Sequence, residues 1–199
     1  MYERHFCQFV NTDCTILEIG VYSGGSIEMW RSYFGPKCKV IGIDIEPACE
    51  RYANEYTQIL IGDQGDPAFW EATFRQIQQV DMIIDDGGHT PEQQRCTLEN
   101  AFRLLRSGGV YVCEDIHGLN NPFAAYCAGM TGELNRYDTI DGSVCKTSRF
   151  QGSVRSMCFY PFAVVVEKNC DYLEDLKVER RGTSWQPFLG DHQDRINKE

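Results

Sequence analysis

Two acidic pairs carry the first suggestion of chemistry in this chain. One lies in the run Asp85-Asp86-Gly87-Gly88-His89, the other in Glu114-Asp115-Ile116-His117. Each follows a short apolar, β-branched run, so each is expected where a strand ends. Carboxylates crowded into a crevice cannot all stay ionised unless a cation is bound or their pKa values rise. Oxygen donors with few nitrogens and no thiolates suit a hard ion: magnesium, calcium or manganese. A single acid at such a place could equally cap the next helix or hold a cofactor amine; the two pairs together point to a metal. His89 follows Asp86 by three residues. A lone histidine is more often structural than catalytic, but beside a metal-bound hydroxyl an imidazole is suited to taking a proton near neutral pH. His117 is a weaker candidate, and His5 and His192 have no such context.

A second group of polar residues falls at the ends of earlier apolar runs. Glu18-Ile19-Gly20 is followed by Ser23-Gly24-Gly25-Ser26 at a helix start. Glycine there lets backbone approach a ligand, and a helix N-terminus offers free N–H groups to a carboxylate. The run is not G-x-G-x-x-G, so pyrophosphate binding is poorly supported. Asp44 ends the next apolar run, where a carboxylate can accept hydrogen bonds from a ribose diol; its alternative is to cap the turn that begins at Pro47. Asp63 and Gln64 end the third, where a purine amine would find an acceptor.

The elements that must position these residues follow from the pattern. Residues 15–20, 39–44, 58–63, 80–85 and 109–114 read as strands. Their near-continuous apolar character fits a parallel sheet buried on both faces. Between them run helices: Ile27, Trp30 and Phe34 mark one face, and Asp66-Pro67 opens a helix in which Trp70, Phe74 and Ile77 share a side. Thr90-Pro91-Glu92-Gln93 sets a cap, a first-turn proline and a capping-box glutamine before Leu98, Ala101, Phe102 and Leu105. Gly108-Gly109 is expected to stop that helix. Repeated strand–helix units imply a doubly wound α/β fold with strands four and five adjacent and ligands bound at the carboxyl ends. Residues 118–152 break the pattern, with a short helix near 123–130, and are expected to form a lid or substrate wall. A tight joint at Pro161 links strands at 154–160 and 163–166 into an antiparallel hairpin closing the sheet. The tail 171–199 is expected to be peripheral, without a clear strand.

Composition sets the outer bounds. A chain of 199 residues suits one domain. No apolar run reaches the length of a membrane span, and no signal peptide is visible at the N-terminus, so a cytoplasmic protein is expected. The ten cysteines are dispersed, without a C-x-x-C pair, as expected of free thiols used as small apolar residues. The net charge of −10 argues against nucleic acid as a partner, since a phosphate backbone needs a basic footprint.

Taken together, Glu18-Ile-Gly-Val-Tyr-Ser-Gly-Gly-Ser26 with Met29-Trp30, then Gly62-Asp63-Gln64, Asp85-Asp86-Gly-Gly-His89 and Glu114-Asp115 resemble the macrolide sugar O-methyltransferases. These are enzymes such as those acting on mycinamicin and macrocin, grouped with proteins known as cephalosporin hydroxylases. The resemblance covers residues 2–117 and, more loosely, 154–168. It implies a class I methyltransferase fold with a seven-stranded sheet. It also implies that Glu18, Gly20, Asp44, Asp63 and Gln64 hold S-adenosylmethionine; Ser23, Gly24, Ser26 and Asp85 are expected to bind this cofactor as well. Asp86, Glu114 and Asp115 would ligate magnesium or manganese, and His89 would be the general base. The arrangement is similar to catechol O-methyltransferase, in which a metal acid precedes the base by three residues. Gly88 stands where the family motif has serine. The larger macrolide enzymes carry a further N-terminal domain, so acceptor identity does not transfer.

The expected reaction is methyl transfer from S-adenosylmethionine to a hydroxyl of a sugar or diol on a small natural product, by a monomer or a homo-oligomer. One rival is a metal-dependent hydroxylase with iron held by His89 or His117, Asp86 and Asp115; it would leave the glycine-rich crevice without a purpose. Others are a nicotinamide dehydrogenase, disfavoured by the glycine pattern, and a non-catalytic protein that binds adenosylmethionine.

Overall fold

The computed structural model describes residues 1–137 and 144–177. A short helix α1 (Tyr2–Phe6) precedes β1 (Thr15–Ile19), α2 (Gly25–Phe34), β2 (Lys39–Asp44), β3 (Thr57–Ile61), α3 (Pro67–Thr73), β4 (Val80–Asp85), α4 (Pro91–Ala101) and β5 (Leu105–Cys113). Then come α5 (Pro122–Leu134), β6 (Val144–Lys146), α6 (Arg149–Ser153), β7 (Val154–Tyr160), β8 (Ala163–Lys168) and β9 (Asp175–Lys177). Seven strands form one sheet in the order β3-β2-β1-β4-β5-β8-β7, parallel from β3 to β5 and antiparallel at β8 and β7. This is the doubly wound class I methyltransferase architecture, with the late hairpin closing one edge.

Strand order reverses at β1, which pairs with β2 on one side and β4 on the other. The chain winds outward in both directions from there, leaving a crevice above the carboxyl ends of β1 and β4. The period of two along each strand divides the core. In β4, Ile83 packs with Trp70, Leu98 and Phe123 on one face, while Met82 and Ile84 pack with Phe6, Trp30 and Phe34 on the other. Both faces are apolar because helices cover both. All ten cysteines are free thiols, and six of them are buried in these layers or beside them. No helix among the described residues is long and apolar enough to cross a membrane.

The start signals read from the sequence form as expected. The Asp66 side chain accepts from Ala68 N at the start of α3, and Thr90 accepts from Gln93 N at the start of α4. Three boundaries differ. Gly108-Gly109 does not stop α4, which ends at Ala101 and passes through a 3-10 turn, Phe102–Leu104, into β5. The glycines lie inside β5, where its register with β4 shifts between Val80 and Met82. Gly108 has φ +75° there, and a Cβ on Gly109 would meet the Asp81 carbonyl oxygen at 2.8 Å. The segment after β5 is more regular than expected: Asn121 accepts from Phe123 N and Ala124 N and starts α5, whose Phe123 and Cys127 are buried in the core. Among the described residues, none from 118–152 lines the crevice. Finally, the tail contains a strand, because β9 pairs antiparallel with β6 in a separate ribbon. Positions 138–143 of the expected lid and the tail from 178 onward lie outside the described residues.

Candidate active site

A cleft of about 570 Å³ opens at the strand ends. It is lined by nine of the residues singled out from the sequence: Gly20, Ser23, Ser26, Asp44, Asp63, Gln64, Asp86, His89 and Asp115. Four others, Glu18, Gly24, Asp85 and Glu114, stand outside its lining, and each has a structural reason.

At the β1 end, Gly20 adopts φ +95°, and a Cβ there would sit 2.1 Å from the carbonyl oxygen of Asp86. Only glycine allows the loop after β1 to lie this close to the loop after β4. Gly24, at φ +75°, is the cap of α2 and packs against the Tyr52 ring. No side chain caps α2. Its first amides, at Gly25 and Ser26, therefore stand at the cleft wall as donors for an anion. Asp44 does not cap the following turn; Glu46 does, accepting from Ala48 N. Asp44 instead accepts from Val21 N and Tyr22 N through Oδ2 and from Glu46 N through Oδ1, each at 2.9 Å. Partial burial pushes its carboxyl up, but these backbone amides and Cys49 outweigh it and hold the group below the usual range. It is a fixed anion at the mouth of the cleft.

Below the cleft floor lies a tier of buried polar groups. Asp85 is fully buried; its Oδ1 accepts from Gln64 Nε2 at 2.8 Å and its Oδ2 faces Tyr111 Oη at 3.4 Å. Burial drives its pKa up to about 7, against the opposing pull of these donors. Gln64 spends its whole amide on this network: Nε2 also donates to Thr97 Oγ1 at 2.9 Å, and Oε1 accepts from Gly88 N at 2.5 Å. Gln64 and Asp85 thus shape the loop that carries Asp86 and His89. Glu18 is buried on the opposite face of the sheet, where Oε1 accepts from Trp30 Nε1 at 2.9 Å. Its Oε2 is buried without a hydrogen-bond partner. Burial raises this carboxyl to about 7, with Asp86 and Glu114 adding to the rise.

Above the floor, one donor atom each from Asp86, His89 and Asp115 gather within 4.8 Å of one another. His89 Nε2 lies 3.7 Å from Asp115 Oδ2, and His117 Nε2 lies 3.7 Å from Asp115 Oδ1. Burial raises the Asp86 carboxyl, the charge of Asp115 raises it further, and His89 opposes both. Asp115 holds a left-handed backbone at φ +52°. Strain of this kind persists where the surroundings fix it, and it concentrates at functional sites. Glu114, expected with this group, is turned away from it: Tyr2 Oη donates to Glu114 Oε1. Burial raises its pKa, and Asp86 and Asp115 reinforce the rise.

Two contributors were not assigned to the site from the sequence. Gln93 lines the cleft. It was legible only as a capping residue, although Gly88 is the clue to it: a Cβ there would fall 2.3 Å from Gln93 Oε1, so glycine in place of the motif's serine leaves room for this amide. Tyr2, 112 residues away from Glu114, left no local signal at all.

A family described as a methyltransferase domain matches residues 17–116, from β1 to just beyond β5. The chain belongs to this methyltransferase family. Within it, demethylmacrocin O-methyltransferase of Streptomyces fradiae is 32% identical over 139 residues, covering 66% of this chain and 33% of that protein. Mycinamicin VI 2''-O-methyltransferase of Micromonospora griseorubida is 34% identical over 142 residues, covering 67% of this chain and 33% of that protein. The methyltransferase chain therefore spans about a third of the length of these curated relatives. Among solved structures, the MycE methyltransferase from the mycinamycin biosynthetic pathway, in complex with Mg, SAH and mycinamycin VI, superposes with a TM-score of 0.76. It is 24% identical, and the match covers 98% of this methyltransferase chain and 53% of that one. At that identity the likeness is one of fold.

Proposed function

We propose that this chain carries out a divalent-metal-dependent O-methylation of a hydroxyl on a small molecule, a sugar or diol of a natural product. The observation that carries the reading is the convergence of Asp86, His89 and Asp115 within 4.8 Å, beside the uncapped start of α2 and the Asp44 anion. The relatives support it by name, since one is a demethylmacrocin O-methyltransferase and the other a mycinamicin VI 2''-O-methyltransferase.

The residues present fit the groups this reaction needs. S-adenosylmethionine would supply the methyl group, and magnesium or manganese would supply positive charge to make the acceptor hydroxyl more acidic. The free amides at the start of α2 suit a carboxylate, while Glu18, buried outside the cleft lining, supports α2 from behind through Trp30. Asp44 keeps acceptor capacity for a ribose diol, and Asp63 stands at the cleft for an adenine amine. Gln64, saturated by its own network, acts by holding the Gly88 loop. Asp86 and Asp115 would hold the metal with oxygen, and its charge would relieve their mutual repulsion. His89 Nε2 takes the hydroxyl proton, and Asp115 steadies the imidazolium that forms.

The test uses radiolabelled S-adenosylmethionine with mycinamicin VI and demethylmacrocin as acceptors, with and without a chelator. Label should pass to an acceptor, stop with the chelator and return with magnesium or manganese, without oxygen consumption. Cofactor binding with no transfer to any hydroxyl acceptor would reassign the chain as a binding protein. Oxygen-dependent turnover with iron would reassign it as a hydroxylase.

A further inference from the structure

The wall of the cleft between the end of β3 and the start of α4 carries a polar pair of its own. We infer that Gln93 reads the purine of the cofactor together with Asp63, selecting adenine over a 6-oxopurine; the inference rests on the S-adenosylmethionine reading above.

Gln93 is the third residue of α4, and its amide is fixed from two sides. Thr90 Oγ1 donates to Gln93 Oε1 at 2.8 Å and accepts from Gln93 N at 3.3 Å. The hydroxyl proton thereby sets which end of the amide is carbonyl and which is amino. The amide lies on Gly88: a Cβ there would fall 2.3 Å from Oε1 and 2.5 Å from both Cδ and Nε2. Gln93 and Gly88 both line the cleft, and Nε2 has no hydrogen-bond partner among the described residues. Its two N–H groups are donors left for a ligand.

Asp63 stands beside this donor. Its Oδ1 accepts from Gly65 N at 2.7 Å, and its Oδ2 has no hydrogen-bond partner among the described residues. The point where a Cβ on Gly65 would sit is 3.2 Å from Asp63 Oδ1 and 3.3 Å from Gln93 Cγ, so the two side chains are neighbours. An acceptor next to a donor matches one edge of adenine, whose N6 amine donates and whose N1 accepts. Hypoxanthine reverses both groups, since its O6 accepts and its N1–H donates. It would set O6 against the carboxylate and N1–H against the amino group of Gln93. The Thr90 hydroxyl opposes the amide flip that would relieve the second mismatch, so the pair rejects the wrong base as well as holding the right one.

The experiment is calorimetric titration of S-adenosylhomocysteine and its 6-oxo analogue, S-inosylhomocysteine. The proteins are the wild type, Gln93→Met, Gly88→Ser and the double variant, with melting temperatures followed in parallel. The wild type should favour the adenine ligand by about 10²-fold or more. Gln93→Met keeps the stem and the backbone N–H that Thr90 caps, and removes only the amide. It should weaken S-adenosylhomocysteine by about 3–10-fold and leave S-inosylhomocysteine unchanged or tighter, so the preference shrinks. Gly88→Ser pushes the amide aside without replacing Gln93. It should shrink the preference in the same direction and add nothing in the Gln93→Met background. A wild type that binds both ligands alike would overturn the assignment. So would a preference that survives intact in Gln93→Met, even with a lower melting temperature, because that is the signature of a helix-capping residue alone. A wild type that binds neither ligand would instead overturn the cofactor reading itself, and the role of Gln93 with it.

Discussion

Asp85 and Asp86 are consecutive residues with opposite surroundings, and the same division runs through the whole site. The inner tier, Asp85 and Glu18, lies in the sheet with its charge opposed by burial, Asp85 facing Gln64 and Tyr111 and Glu18 accepting through Oε1 from Trp30. The outer tier, Asp86 and Asp115 with His89, lies in the open cleft and faces other ionisable groups. A strand sends successive side chains to opposite faces, so at a strand end one acid of a pair must go inward and the other outward. The lesson is that an acidic pair at a strand end is not two copies of one function. The inner member builds the loop, and the outer member meets the ligand.

The largest effect should separate the tiers by activity. His89→Ala should lower turnover by roughly 10²–10⁴-fold, the usual contribution of a general base, with S-adenosylhomocysteine affinity and melting temperature unchanged. Near wild-type turnover at saturating magnesium would make His89 structural and leave activation of the hydroxyl to the metal.

Stability should separate them in the other direction. Asp85→Ala removes the acceptor for Gln64 Nε2 and strands a buried donor, a loss of about 1–3 kcal/mol in urea unfolding. Asp86→Ala removes a charge that Asp115 repels, so it should change stability by no more than about 0.5 kcal/mol. Equal losses at the two positions would erase the distinction.

The inner tier also sets a pH signature. Glu18 and Asp85 ionise near 4.5 and 3.8 without the fold but near 7 within it. Between those values the folded chain binds more protons than the unfolded one. Stability is therefore greatest at the acid side of this window and falls as pH rises, by at most about 1.4 kcal/mol per pH unit for each group, levelling off above about 7. Urea midpoints at pH 5 and pH 8 should differ accordingly, and Glu18→Gln should shrink the difference. A midpoint that rises from pH 5 to pH 8 would contradict the assignment.

The tiers also mark where sequence reading worked. Strand ends, helix caps and the gathering of Asp86, His89 and Asp115 are set by local pattern and by the winding of the fold, so they could be read in advance. The face that Ile27, Trp30 and Phe34 bury in α2 formed as expected for the same reason. What escaped depends on distant partners. Glu114 turns to Tyr2 across 112 residues, and Gln64 is saturated by groups from β4 and α4. Gly108-Gly109 looked like a helix stop because the register shift it serves belongs to a neighbouring strand. The strand β9 is three residues long and exists through its pairing with β6.

The left-handed backbone of Asp115 sets protein engineering against catalysis. Asp115→Gly would relieve a conformation that an L-residue holds at a loss, and would lift the repulsion on Asp86. The net gain, after the greater entropy of unfolded glycine, should be about 0.5–1 kcal/mol, or roughly 1–4 °C in melting temperature. The same change deletes a carboxylate proposed to hold the metal. A directed-evolution campaign scored on heat tolerance alone would be drawn to this position and would return sturdier, inactive clones. One scored on turnover would keep the aspartate and have to gain its robustness elsewhere, for instance by filling out the core around α5.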